Sequence, residues 1–187
     1  MIISLRGTNG SGKSTLVRAL MNEYYQKIEI SLEGRRKPIG YRLTALDKPE
    51  LFIPGHYEIA NGGIDTLRDL DVAYEMIWHS AVMKRHVVYE GKNMTDGTAR
   101  FMRFPRELAV VIVINHPVED CIASVRARGH RIKEKTIEYI ARKVMIDAEK
   151  FQENGFTVHY LSRELALAKC KSILKSGVTN DAGAIQQ

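Results

Sequence analysis

Residues 2–15 read Ile2-Ile3-Ser4-Leu5-Arg6-Gly7-Thr8-Asn9-Gly10-Ser11-Gly12-Lys13-Ser14-Thr15. A short apolar run enters a glycine, four residues, then Gly-Lys-Ser. Leu16, Val17, Ala19, Leu20 and Met21 follow at the spacing of an amphipathic helix. This is the strand–loop–helix setting in which backbone N–H groups converge on a phosphate. Gly7, Gly10 and Gly12 permit the turn, and Thr8, Asn9, Ser11 and Thr15 fill the loop and open the helix. Lys13 is placed to neutralise the β- and γ-phosphates, and Ser14 to ligate Mg²⁺. A glycine-rich turn without a ligand is the bland alternative. Because strand, loop, Lys-Ser and helix all coincide, a nucleoside triphosphate site is predicted.

Outward from that loop, apolar runs and helical periodicities alternate. The first helix is expected to run to about Gln26. Arg35 to Pro38 reads as a turn. Gly40 to Leu46 and Leu51 to Ile53 read as short strands joined at Asp47-Lys48-Pro49. A glycine-containing loop from Gly55 to Gly63 leads into a helix from about Asp65 to Arg85. His86 to Gly91 and Ala109 to Ile114 are buried strands, the second apolar throughout, as a strand covered on both faces must be. Helices over Val118–Arg128 and Lys135–Glu153, a strand over Phe156–Leu161 and a helix over Leu165–Lys175 complete the pattern. The expected fold is α/β, a mostly parallel sheet with helices on both faces. It forms one domain over 1–175, with an Arg-rich lid near 126–135 and a small, polar, flexible tail over 176–187.

With 187 residues, 44% hydrophobic and 27% charged, the chain is globular rather than disordered. No stretch reaches membrane-spanning length, and no signal-peptide pattern opens the chain, so no membrane partner is expected. Cys121 and Cys170 stand apart without metal-like spacing, which points to packing and a reducing, cytoplasmic setting. The net charge of +6 exceeds what small anionic substrates require and favours a nucleic-acid partner.

In parallel sheets of this kind, ligands gather beyond the carboxyl ends of the strands. Glu90 ends the strand after Val87-Val88-Tyr89, as a candidate general base or metal ligand. Asp65, in the Gly62-Gly63-Ile64-Asp65-Thr66 segment, is a second candidate base or acceptor ligand, or else a helix cap. The lid offers Arg126 as the transition-state clamp and Arg128 as a nucleotide contact, with Arg131 and Lys133 behind them. Favourable cations at a helix C-terminus are the alternative reading. Tyr57 and Glu58, in the irregular Gly55–Thr66 loop, are candidate acceptor contacts. Arg100, Phe101, Arg103 and Phe104 interleave cations with aromatics, a pattern suited to phosphate contacts beside base stacking, or to a packed helix with a cationic face.

The phosphate loop, the Glu-ended strand and the Arg-rich lid resemble the nucleoside and nucleotide kinase branch of P-loop proteins, over most of the chain to about Leu161. Gly7 to Ser14, Gly55-His56-Tyr57-Glu58 with Gly62-Gly63-Ile64-Asp65-Thr66, and Tyr89-Glu90-Gly91 together resemble phage hydroxymethyluracil DNA kinases. Ile64 stands where a cysteine is expected in that pattern. The resemblance implies a P-loop kinase fold, with ATP as phosphoryl donor and Mg²⁺ as metal. It also implies a 5-hydroxymethyl group on uracil in viral DNA as acceptor, a step towards hypermodified thymidines that protect the genome from host nucleases. The partner is then modified duplex DNA, and the setting the host cytoplasm. A flipped-out base would stack on Phe101 and Phe104, against a pocket wall at Tyr57. Two rivals stand beside this reading: a free nucleoside or nucleoside monophosphate kinase of the thymidylate type, and a non-catalytic nucleotide-dependent DNA-binding module.

Overall fold

Seven strands form one sheet because the apolar runs of the chain each satisfy their backbone groups on a neighbour. A computed structural model describes residues 1–59, 62–67, 69–91 and 94–176, with the backbone alone for 94–97 and 176. In chain order the elements are β1 (Ile2–Arg6), α1 (Lys13–Met21), β2 (Gln26–Ile30), β3 (Gly40–Ala45), β4 (Lys48–Pro54), α2 (Leu70–Val82) and β5 (His86–Glu90). They continue with α3 (Met94–Phe101), β6 (Ala109–Ile114), α4 (Val118–Ala127), α5 (Glu134–Glu153), β7 (Thr157–Leu161) and α6 (Arg163–Ser176). Sheet order is β2-β3-β4-β5-β1-β6-β7, with β4, β5, β1, β6 and β7 parallel and β3 antiparallel to both its neighbours. The expected α/β architecture is therefore present.

Alternation along the strands splits the core in two. Ile2, Val87, Tyr89, Val111 and Val113 meet residues of α2, α3 and α5 on one face. Ile3, Leu5, Val88, Ile112 and Ile114 meet α1 and α6 on the other. Every residue of β1, β5 and β6 is buried, as central parallel strands require. β1 lies between β5 and β6, so the chain changes direction across the sheet there. The crevice beyond the carboxyl end of β1, where such folds bind ligands, is occupied by the phosphate loop.

Two sequence expectations need correction. The first helix stops at Met21, capped by Asn22, and Gln26–Ile30 is an edge strand paired with β3. The Asp65–Arg85 segment is not one helix: Ile64–Thr66 is a 3₁₀ turn, and Asp69 caps α2 by accepting from the Asp71 and Val72 amides. Asp65 is thus not the cap of α2. In the stretch after Glu90, Met94–Phe101 forms α3, in keeping with the packed-helix alternative rather than with a base-stacking surface. The tail over 177–187 lies outside the described residues.

Candidate active site

The phosphate loop closes on itself through its lysine. Lys13 Nζ donates to the Gly7 carbonyl at 2.8 Å and the Thr8 carbonyl at 3.0 Å. Burial pushes the Lys13 ammonium below its ordinary pKa, while Glu90 and Asp65 pull it back up. Ser14, in the first turn of α1, donates from Oγ to Glu90 Oε1 at 2.7 Å. The carboxylate at the end of β5 and the hydroxyl after the lysine therefore share one place.

Glu90 is 4% exposed, and burial raises its pKa. Lys13 and the Ser14 hydrogen bond hold that rise back, and Asp65 adds to it. Opposing groups of this kind poise a carboxylate for proton transfer.

The Gly62-Gly63-Ile64-Asp65-Thr66 segment has a steric reason. Gly63 has φ +100°, and a Cβ there would lie 2.4 Å from the Glu90 carbonyl oxygen and 2.9 Å from Glu90 Oε1. Only a glycine lets this loop lie flat against the end of β5. Thr66 Oγ1 pins the turn by donating to the Gly63 carbonyl and accepting from the His56 amide. Asp65 is thereby delivered to the same cavity as Glu90.

That cavity, about 290 Å³, is lined by the loop residues Asn9, Gly10, Gly12, Lys13, Ser14 and Thr15, with Gly62, Asp65 and Glu90 facing them. Val125, Arg128, His130 and Ile132 close it from the lid side. Arg126 is not among these residues; it is exposed and paired with Glu134 at the start of α5. Arg128, expected as a nucleotide contact, does line the cavity, and its Nε donates to the Ser124 carbonyl. Arg126 lies in the last turn of α4, whereas Arg128 is the residue that ends it. His130 joins the site without having been singled out beforehand, and its Nε2 is buried with no hydrogen-bond partner.

A second, wider groove of about 800 Å³ shares Thr15 and Arg128 with the first. Tyr57, Glu58 and Ile59 line it on one side, and Arg18, Asn22 and Lys27 on the other. Arg18 was missed in the sequence. It donates to the Tyr57 carbonyl at 3.0 Å and also to the Ile59 carbonyl, and so holds the loop in place. Glu58 pairs with Lys27 at 2.7 Å, near the groove's rim. Tyr57 is buried beside Glu90, its hydroxyl makes no well-formed hydrogen bond, and burial drives its pKa well above the ordinary value.

The cation–aromatic interleaving resolves differently from the expectation. Phe101 is fully buried against Phe151 and Phe156, with the Arg6 guanidinium 5.8 Å from its ring centre, and cannot stack on a base. Phe104 is 7% exposed and stacked between Tyr74 and Trp78. Trp78, 40% exposed, is the accessible ring of that ladder. Arg100 makes a two-pronged pair with Asp71 at 2.6 and 3.0 Å, and Arg103 is exposed beside it.

Among the described residues no three or more His, Cys, Asp or Glu side chains gather as a metal cluster. What the site does offer is a hydroxyl, one buried carboxylate and a second carboxylate nearby. Those hard oxygen donors suit a Mg²⁺ that keeps waters and phosphate oxygens as its other ligands.

With its glycine-rich loop, the Glu90 carboxylate beside Ser14 and a lysine and an arginine lining the same cavity, this chain is similar to the P-loop kinases. It is similar over nearly its whole length to "5-hmdU DNA kinase" of Pseudomonas phage PaMx11, at 29% identity over 184 residues, 94% of this chain and 97% of that protein. No family model matches. Solved structures that align with it include deoxyadenosine kinase from M. mycoides with bound dATP, at TM-score 0.46 and 15% identity, covering 94% of this chain and 98% of that one. The same enzyme with bound dCTP gives 0.45 and 16%, over 94% and 100%. Among the described residues no helix is long and apolar enough to cross a membrane.

Proposed function

We propose that this kinase transfers the γ-phosphoryl of ATP to the 5-hydroxymethyl group of hydroxymethyluracil within DNA, as a step towards hypermodified thymidines that shield viral DNA from host nucleases. The observation that carries the acceptor is the near-full-length similarity to a 5-hmdU DNA kinase. The groove beside the donor cavity, about 800 Å³ and lined by Arg18, Lys27 and Arg128, supports it as a space for a nucleotide. The setting is then the host cytoplasm.

In this reading the loop amides and Lys13 bind the β- and γ-phosphates. Arg128 and His130 reach the transferring group from the lid and meet charge that spreads over its oxygens. Ser14 would hold Mg²⁺, with Glu90 behind it in the second shell if it is not the base, and the metal when bound would screen the phosphate charges. Glu90 takes the proton of the acceptor hydroxyl, with Asp65 orienting that hydroxyl or standing as the alternative base.

A flipped-out base costs a few kcal/mol of lost stacking and pairing, which cationic contacts to the strand offset. Salt therefore tests the acceptor. Phosphorylation of hydroxymethyluracil DNA is expected to fall steeply from low to physiological salt, with a slope of about 0.9 per phosphate contact, while ATP binding changes much less. Replacing Arg100 and Arg103 together with Ala should flatten that slope and leave ATP affinity alone. Arg103 is expected to account for most of the change, because Arg100 already answers Asp71. A flat salt response in the parent chain would contradict a DNA acceptor.

A further inference from the structure

The carbonyls at the tip of the phosphate loop point away from the cavity, towards the first residue of α6. Arg163 Nε donates to the Ser11 carbonyl at 2.8 Å, and its Nη2 donates to the Gly10 carbonyl at 2.6 Å. One planar fork thus grips two successive peptide groups from 152 and 153 residues away. In a planar trans peptide the carbonyl and the following N–H point in opposite directions. Holding the Ser11 carbonyl outwards therefore turns the Gly12 N–H the other way, and Gly12 lines the donor cavity. The Ser11 N–H takes a different course and closes a turn on the Thr8 carbonyl at 3.2 Å.

The surroundings leave the loop no other place to go. A Cβ on Gly10 would lie 2.2 Å from the Cys121 carbonyl oxygen of α4, so the tip already touches backbone on that side. A Cβ on Gly12 would lie 2.8 Å from Arg163 Nε, so the guanidinium rests directly on the glycine backbone. Thr8 Oγ1 donates to the Ile137 carbonyl of α5 at 2.9 Å and ties down the base of the loop. Of these restraints, Arg163 is the one that acts on the peptide groups of the tip through a charged side chain.

We propose that Arg163 is a positioning residue for phosphoryl transfer: its guanidinium braces the Gly10 and Ser11 carbonyls so that the loop amides are set for the triphosphate before it arrives. An anion site whose dipoles are fixed in advance binds without reorganising, and that is where the brace acts. The proposal rests on the phosphate loop as the ATP site and is independent of which acceptor is used.

The test measures ATP binding to the full-length chain by calorimetry, with no acceptor present, in the parent, Arg163→Lys and Arg163→Met. Thermal melts with and without ATP accompany the titrations. Lysine keeps the charge and loses the fork; methionine loses both. Both variants are expected to weaken ATP binding on the order of tenfold and to reduce the rise in melting temperature that ATP gives, with KM for the acceptor unchanged. Parental affinity in Arg163→Lys would overturn the proposal in favour of simple charge. A lower melting temperature with parental ATP affinity in either variant would overturn it in favour of a structural role alone. If Arg163→Met does not fold, Arg163→Lys decides. A parent chain that binds no ATP would instead overturn the donor site itself, a result distinct from these.

Discussion

Replacing Lys13 with Ala is expected to reduce phosphoryl transfer by at least a factor of about a hundred, the usual consequence of removing a preorganised charge from a developing phosphoryl group. The expectation rests on position. Lys13 is nearly buried at the floor of the donor cavity and is held there by the Gly7 and Thr8 carbonyls. Truncation also leaves those two carbonyls without their donor, so a fall in melting temperature accompanies the loss of turnover, by about 1–3 kcal/mol of stability at most. Turnover measured by transfer of labelled phosphate, beside a melt of the same sample, separates the two effects. Turnover within about tenfold of the parent would remove Lys13 from its assigned role.

Glu90→Gln carries the second large effect. The substitution preserves size and still accepts the hydrogen bond of Ser14, while the negative charge is lost. A general base contributes about a hundred- to ten-thousandfold, and a loss within that range is expected with ATP affinity nearly kept. Burial sets the pH signature. The Glu90 carboxyl titrates above the ordinary carboxylate range, so activity of the parent should rise as pH climbs through that raised value. The glutamine variant should lose this limb. The stability effect has the opposite sign to the catalytic one. A carboxyl whose pKa is higher folded than unfolded favours the folded state when protonated, and that contribution is lost as pH rises through the folded value. Once ionised, Glu90 is therefore a burden on the fold, and Glu90→Gln should melt no lower than the parent. A marked change in Mg²⁺ dependence would assign Glu90 mainly to the metal. Unchanged turnover and metal dependence would shift the base to Asp65.

Local pattern explains what the sequence disclosed. The phosphate loop, the buried strands ending at Glu90 and Ile114, and the helices of the C-terminal half are each written in one contiguous stretch, as apolar runs or helical spacing. The edge strand Gln26–Ile30 was not legible, because its alternating exposed residues lack the apolar weight of a buried strand and simply seemed to prolong the helix before it. The cation–aromatic stretch suits either nucleic-acid contacts or a packed helix with a cationic face, and its composition alone does not choose between them. On α3 and the turn that follows it, Phe101 and Phe104, three apart, turn inwards together, while Arg100 and Arg103 remain at the surface. Arg126 and Arg128 posed the same problem of phase, since a count of charges cannot say which one a helix end presents. Arg163 and Arg18 carry no local signal of any kind; their partners are carbonyls brought near by the sheet order.

The most direct test of the central claim incubates the protein with γ-labelled ATP and Mg²⁺, offering in parallel hydroxymethyluracil-containing DNA, unmodified DNA, and free hydroxymethyl-deoxyuridine nucleoside and nucleotide. Label is expected on the hydroxymethyl-containing DNA and on neither the unmodified DNA nor, at comparable rate, the free forms. Equal or greater labelling of the free nucleoside or nucleotide would contradict the DNA reading and make this a small-molecule kinase, and no transfer to any acceptor, with DNA still bound, would leave a nucleotide-dependent DNA-binding module in its place.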